Sequence, residues 1–325
     1  MKTRNSIYFL IFILFSCSVD QEEWLNTNRF LSNYNTNGKL SYCIEQTWDK
    51  EQWLNLEKKM YTYDLNGNEI ETLYLNWIND AWENGDIEKR EYDSKNRISK
   101  EISTYWSNSK WKEPDESIYN YEDNLKLNQI TDFRFLNGRL VETQKRFKKY
   151  DEFGNEIESW YEARKSYYDE QGKLHYSDEW NDSFNRHVNK VDEKGNIIEK
   201  QFQVVDNGGW KLIENTIMNY NSNNQIVSKI LKKVKGLGGD SLVNVNKTEI
   251  SYNEFGKKTE VLSTWENNNW NNSNQNKCYY DENGLLIERV FQEWKNNAWV
   301  NSFNSKYKYD TNGNEVERMI RQYNR

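Results

Sequence analysis

Two marks recur along this chain on one 29-residue beat, and together they narrow the folds open to it. The first is a short turn led by Tyr, or once by Val. It occurs at Tyr34, Tyr63, Tyr92, Tyr121, Tyr150, Tyr168, Val191, Tyr220, Tyr252, Tyr280 and Tyr309. Six of the ten spacings are 29 residues; the others are 18, 23, 32 and 28. The second mark is a pair of Trp residues five apart: Trp48/Trp53, Trp77/Trp82, Trp106/Trp111, Trp265/Trp270 and Trp294/Trp299. Self-similarity at a fixed period means units that bury their faces only against their neighbours.

Each mark has a local physical meaning. Asp64-Leu-Asn-Gly67, Asp151-Glu-Phe-Gly154, Asp281-Glu-Asn-Gly284 and Asp310-Thr-Asn-Gly313 follow the leading Tyr directly. The Asp side chain can accept from the backbone N–H groups of its own turn, and the last residue must accept positive φ. Asp64, Gly67, Asp151, Gly154, Asp281, Gly284, Asp310 and Gly313 are therefore structural turn residues. Glu122-Asp-Asn-Leu125 breaks the rule and predicts a looser turn.

Between turns the alternation has period two, the period of a strand. From the second Trp onward one parity reads Trp53, Asn55, Glu57, Lys59, Tyr61, Tyr63, and predicts an aromatic face; Ile70, Tyr74 and Phe291 sit on the opposite parity, so some strands are expected to be covered on both sides. Composition agrees: the chain has 14 Trp, 22 Tyr and 13 Phe but three Ala and one Pro. Ala favours helix and aromatics favour pleated surfaces, so a helical bundle is excluded. The Val/Ile/Leu runs of buried parallel strands are missing too. The expected fold is all-β: an extended antiparallel meander of about eleven hairpin repeats, coiled into a superhelical or spiral sheet because neighbouring strands twist. Trp24 to Phe30 reads as a capping strand, Tyr150 to Val191 as shortened hairpins making a bend. Residues 229–248 read as a long protruding hairpin tipped by Gly236-Leu-Gly238-Gly239-Asp240.

The N-terminus reads as an address. Lys2 and Arg4 precede nine apolar residues, Ile7 to Phe15, too few to span a bilayer core that needs about 20 residues of helix. Leu14-Phe15-Ser16-Cys17 resembles the lipobox of bacterial lipoproteins. The resemblance implies cleavage before Cys17, lipidation of Cys17, and an anchor made stable by two or more acyl chains. Ser18 at the second mature position, with Asp20, Glu22 and Glu23 after it, implies the outer membrane and its exposed face. The expected organisation is a signal peptide over 1–16, a lipidated tether and cap over 17–30, and the repeat array over 31–325.

The unit Tyr61-Thr-Tyr63-Asp64-Leu-Asn-Gly67-Asn68-Glu-Ile70, repeated in Tyr307-Lys-Tyr309-Asp310-Thr-Asn-Gly313-Asn314-Glu-Val316, resembles the tyrosine–aspartate repeat of the RHS superfamily. In that family such repeats are β-hairpins wound into a large shell, often around a C-terminal toxin. Here no toxin domain follows the repeats, and the resemblance then implies a bare repeat scaffold.

Chemistry is sparse. A net charge of −7 with no basic stripe argues against nucleic acid; the run Lys229 to Lys235 reads as a solvated strand face. Cys43 and Cys278 stand 235 residues apart and, in an open array, should remain two part-buried thiols. His175 and His187 lack neighbours at a ligand or triad spacing. Asp64-x-Asn66-x-Asn68 superficially resembles a calcium loop, but turn chemistry already accounts for it. No cofactor and no metal is expected. The Trp pairs can staple hairpin ends, or their faces can stack on sugars, with Trp77, Trp82, Trp265, Trp270, Trp294 and Trp299 as candidate contacts. The expected function is a lipid-anchored, non-catalytic binding or structural scaffold. Its partners would be the membrane, through the anchor, and protein or glycan at the cell surface. The alternatives are a carbohydrate-binding lipoprotein using the Trp pairs, and an enzyme with a site in the irregular 155–191 segment around His175.

Overall fold

A computed structural model describes residues 24–122, 126–181, 185–235, 241–253 and 258–324. The signal segment, Cys17 and the Gly236–Asp240 tip lie outside these. Every described element is a strand. The series opens with β1 (Trp24–Tyr34), β2 (Leu40–Asp49), β3 (Gln52–Tyr63), β4 (Glu69–Ile78), β5 (Ala81–Tyr92) and β6 (Ile98–Ser107). Next, β7 (Lys110–Trp111) and β8 (Asp115–Tyr121) form one line, both pairing with β6. Then come β9 (Leu127–Leu136), β10 (Arg139–Tyr150) and β11 (Glu156–Tyr168). Both β12 (Leu174–Asn181) and β13 (Asn185–Val191) pair with β11 and form another single line. Nine more complete the chain: β14 (Ile197–Asp206), β15 (Gly209–Tyr220), β16 (Ile226–Val234), β17 (Leu242–Tyr252), β18 (Lys258–Glu266), β19 (Asn269–Tyr280), β20 (Leu286–Lys295), β21 (Ala298–Tyr309) and β22 (Glu315–Tyr323).

The 22 elements thus make 20 strand lines, each antiparallel to the one before. The sheet does not spiral open. The first strand pairs with the last, from Trp24↔Tyr323 to Leu31↔Glu317, and closes a barrel. Closure removes both exposed edges, which an open meander would leave as templates for aggregation. Trp24–Phe30 is accordingly an integral strand with a neighbour on each side, and not a cap. Among the described residues only Ile130, Met218 and Ile250 are buried apolar side chains. The wall is one sheet thick, and at 20 strands it exceeds the size at which barrels enclose an aqueous lumen.

The turns sort onto two rims. At one, the tyrosine rim, Asp64 Oδ1 accepts from the N–H groups of Asn66 and Asn68 at 2.9 and 2.8 Å, while Gly67 takes φ 82°. Asp93, Asp151, Asp192, Asp281 and Asp310 repeat this, and Asn35 and Asn221 do so with an amide oxygen. Asp151, Asp281 and Asp310 also accept from the N–H four residues on, and Gly67, Gly154, Gly284 and Gly313 all take positive φ. Of the irregular turn, Glu122 N–H donates to Lys126 O; its tip lies outside the described residues.

The leading Tyr has a second task. Tyr63 donates its hydroxyl to Leu40 O at 2.9 Å, tying its turn to the preceding one, and Tyr92, Tyr121, Tyr220 and Tyr309 do the same at 2.8 Å. Tyr34 makes this bond to Glu315 O at 3.0 Å, across the closing seam.

The Tyr168-led turn carries the same signature, with Asp169 and Gly172, but joins β11 to β12 and so stands at the opposite rim. The segment from Tyr150 to Val191 is therefore one enlarged hairpin, not two shortened ones making a bend. The hairpin count is ten, not eleven.

The parity that runs from Trp53 to Tyr63 does not stay on one face, for a reason local to each hairpin. Gln46 pairs with Asn55 but Glu45 pairs with Glu57, so Leu56 is an extra residue, a β-bulge. It reverses the alternation: Trp53 shares a face with Gln46 and Arg29, while Tyr61 shares the other with Thr72. The bulge recurs three residues after the second Trp position, at Gly85, Thr143, Ile213, Val245, Ser273 and Ser302. The break between β7 and β8 falls at the same place, on Pro114, which has no N–H to give a ladder. At the seam the extra residue is Thr27, again three after an aromatic, Trp24.

Candidate functional site

The second rim is closed by two-residue turns with both residues at positive φ: Lys50-Glu51, Asn79-Asp80, Asn108-Ser109, Asn267-Asn268 and Asn296-Asn297. Such turns match the twist of the strands they join. They place each Trp pair directly opposite in register, as Trp48↔Trp53, Trp77↔Trp82, Trp106↔Trp111, Trp265↔Trp270 and Trp294↔Trp299. All five meet edge to face, with centroids 4.9–5.2 Å apart and planes 66–72° from parallel. Such pairs contribute about 0.5–1.5 kcal/mol beyond the area they bury. Every ring is half-buried, none wholly covered.

The seam supplies a sixth pair. Trp24 lies one period before Trp53, Tyr323 one period after Trp294, and they meet edge to face at 5.3 Å and 70°. The two chain ends therefore complete a hairpin that lacks only its turn. Around the barrel, β18–β19, β20–β21, the β22–β1 seam, β2–β3, β4–β5 and β6–β7 stand side by side. Their pairs form one unbroken arc of rim.

Elsewhere on this rim the aromatics thin out. The Asn137-Gly138 turn has the same geometry but is flanked by Phe135 and Leu140, and Asn207-Gly208 by Val205 and Trp210. A Trp pair is thus not needed to close such a hairpin. Some ring faces are already occupied: the Arg29 guanidinium lies 4.8 Å from the Trp53 centroid and Arg321 lies 5.7 Å from that of Trp24.

Below the arc, on the same face, runs a polar belt. Arg29 donates to Gln46 Oε1 at 2.7 Å and Gln46 to Asn55 at 2.8 Å. Gln275, Gln292 and Asn301 repeat that chain at 2.6 and 2.7 Å. Five residues before each leading residue stand Arg29, Lys58, Ile87, Glu116, Lys145, Arg186, Asn215, Lys247, Gln275 and Asn304, only one of them apolar. The opposite face has charged clusters that no sequence motif announces. Arg90 bonds Glu69, Glu88 at 2.9 Å and Glu101 at 3.0 Å, and Tyr119 donates to Glu101. Arg90 occupies the place that Tyr61 and Tyr119 hold in neighbouring repeats, and that substitution was the one available signal. Burial, with the Cys43 thiol beside it, pushes the Tyr61 hydroxyl up to about 12.

The histidines do not converge. His175 Nε2 lies 2.7 Å from Asp169 Oδ2 beside its turn and stacks on Tyr167. His187 packs against Phe202. Opposite them on β11 stand Tyr167 and Ser159, eight residues apart, which separates the two rings by roughly 26 Å. Around His187, Phe147, Trp160 and Tyr161 line a cavity of about 300 Å³. Cys43 and Cys278 are free thiols, as expected, though the barrel is closed; five strand spacings, roughly 24 Å, separate them along the wall. Burial raises the Cys43 thiol pKa. At Asp64 the carboxylate is taken up by Asn66 and Asn68, including the Asn68 amide at 2.9 Å, so turn bonding accounts for the calcium-like pattern. Among the described residues no cluster of three His, Cys, Asp or Glu side chains could hold a metal.

No family model and no curated protein matches the chain. Solved structures give loose likenesses. A protein of unknown function from Bacteroides fragilis is 15% identical, with TM-score 0.33 over 37% of this chain and 89% of its own. A porin-like protein from Bacteroides uniformis is 10% identical, with TM-score 0.31 over 92% of this chain and 97% of its own. A TcdB2–TccC3 chain is 12% identical, with TM-score 0.21 over 90% of this chain and 21% of its own. Similarities this loose carry no functional assignment.

Proposed function

We propose that the chain is a lipid-anchored, non-catalytic scaffold at the outer-membrane surface, presenting a hollow barrel beside the bilayer. The observation that carries this is a wall polar on both faces at mid-height. A barrel that spans lipid needs an apolar outer band ~25 Å tall, and each Arg or Lys facing lipid at the midplane costs about 2–4 kcal/mol. One face has Arg29, Lys58, Lys145 and Lys247 in mid-strand; the other has Lys59, Arg90 and Arg146. Neither face suits lipid, so attachment falls to Cys17.

Fractionation of cells producing wild-type and Cys17→Ala protein tests the proposal. Wild-type protein should sediment with outer membranes and be digested by protease added to whole cells, while Cys17→Ala should be released in soluble form. A Cys17→Ala protein that stays in the membrane as an integral barrel would contradict the reading. A second reading makes Trp77, Trp82, Trp265, Trp270, Trp294 and Trp299 a glycan-stacking surface. Their half-exposure favours it, but each ring already meets its partner edge to face.

A further inference from the structure

We propose that the tryptophan arc is the membrane-facing end of the barrel, seated in the interfacial layer of the bilayer; this rests on the Cys17 anchor. Three independent observations point the same way. First, the chain enters the barrel at this rim, with Trp24 seven residues beyond Cys17. Seven residues reach at most ~25 Å, so an anchor at Cys17 holds this rim against the bilayer and the tyrosine rim a strand length away.

Second, the arc is centred on the point of entry. Counting from the Trp24/Tyr323 seam, two paired hairpins lie to one side and three to the other. The hairpins remote from the seam, β9–β10 and β14–β15, close without a pair. Stapling alone predicts no such centring. Trp and Tyr concentrate at membrane interfaces because one side of the ring is apolar and the other can reach water.

Third, the rims differ in charge. The tyrosine rim is ringed by carboxylates such as Asp64, Asp93, Asp151, Asp192, Asp281 and Asp310, which an anionic membrane surface repels. The arc is tipped instead mainly by amides, as in Asn267-Asn268 and Asn296-Asn297.

The test uses residues 18–325, which keep every strand of the barrel, tethered through an N-terminal histidine tag to 3:1 phosphatidylethanolamine–phosphatidylglycerol vesicles holding a nickel-chelating lipid. The tether replaces the acyl chains, so the outcome is independent of Cys17 processing, which the fractionation above judges separately. Eleven of the 14 Trp residues lie on the arc, so tryptophan emission reports on it. Brominated acyl chains should quench that emission at least twofold. In a Cys43→Ser, Cys278→Ser background, a fluorophore on Asn79→Cys should be quenched as well, and one on Asn66→Cys, at the tyrosine rim, should not. Absence of quenching at both the tryptophans and position 79 would overturn the proposal, as would equal quenching at positions 66 and 79. Emission that responds to soluble polysaccharide but not to brominated lipid would assign the arc to glycan instead.

Discussion

Tyr34 and Tyr63 make the same bond in different places, which isolates what the hydroxyl contributes. Either Tyr→Phe change removes one bond to a carbonyl and should cost roughly 1 kcal/mol. Only Tyr34→Phe should also speed amide exchange in β1 and β22, because its bond crosses the seam; equal exchange in both variants would deny that difference. Acid should act at the opposite partner of these turns, the Asp side chains. Asp64, Asp151 and Asp310 are held below the ordinary Asp range chiefly by the Asn four residues on, and Asp93 by Arg97. A folded-state pKa below the unfolded one stabilises fully above the unfolded value and is lost as pH falls through the folded value. The turns should therefore loosen only below about pH 4. Asp64→Asn should keep the turn and lessen this acid sensitivity, since Asn35 and Asn221 serve in the same role, whereas Asp64→Ala should lower Tm at neutral pH. Thermal melts of the two variants at pH 3 and pH 7 check the sign. These residues were legible in the sequence because their bonds span four residues, and so their cause lies within the motif.

Elements were legible in part. Period-two alternation identified the strands and the Trp spacing identified the hairpin ends, yet the side on which each residue falls was misread. The bulge adds one residue, and its occupants Leu56, Gly85, Pro114 and Thr143 keep the 29-residue beat while sharing no chemistry. What the position requires is an unpaired backbone, and no single residue type signals that. Gly85 shows the constraint directly: an added Cβ would stand 2.7 Å from Asn76 Nδ2 and 3.2 Å from Tyr74 O. Gly85→Ala should destabilise by about 1–3 kcal/mol, the usual cost of overpacking, whereas Leu56→Ala, at an exposed bulge residue, should change little; urea titration distinguishes them. The Tyr168-led turn went to the wrong rim for a related reason. An Asp-x-x-Gly turn specifies its own backbone and says nothing of which end of the wall it closes.

At the scale of the whole molecule, closure is a relation between residues about 300 apart, which no local pattern states. Its trace was present all the same. Trp24, Thr27 and Tyr323 fall on the beat, so the last strand and the first meet as a hairpin in phase, complete with aromatic pair and bulge. A circular permutant follows: joining Tyr323 to Trp24 through four residues with Asn-Gly at the centre, and opening the chain at the Asn207-Gly208 turn, should preserve the β-sheet circular dichroism and Tm. The most direct test of closure is a cross-link at the seam. Leu25 pairs with Gln322, and Leu25 is exposed. With Leu25→Cys and Gln322→Cys in residues 18–325 carrying Cys43→Ser and Cys278→Ser, mild oxidation should give an intramolecular disulfide in the monomer, read as a faster-migrating band without reductant. In an open sheet of 20 strand lines the two edges stand roughly 90 Å apart, and the monomer would stay reduced or link only between molecules.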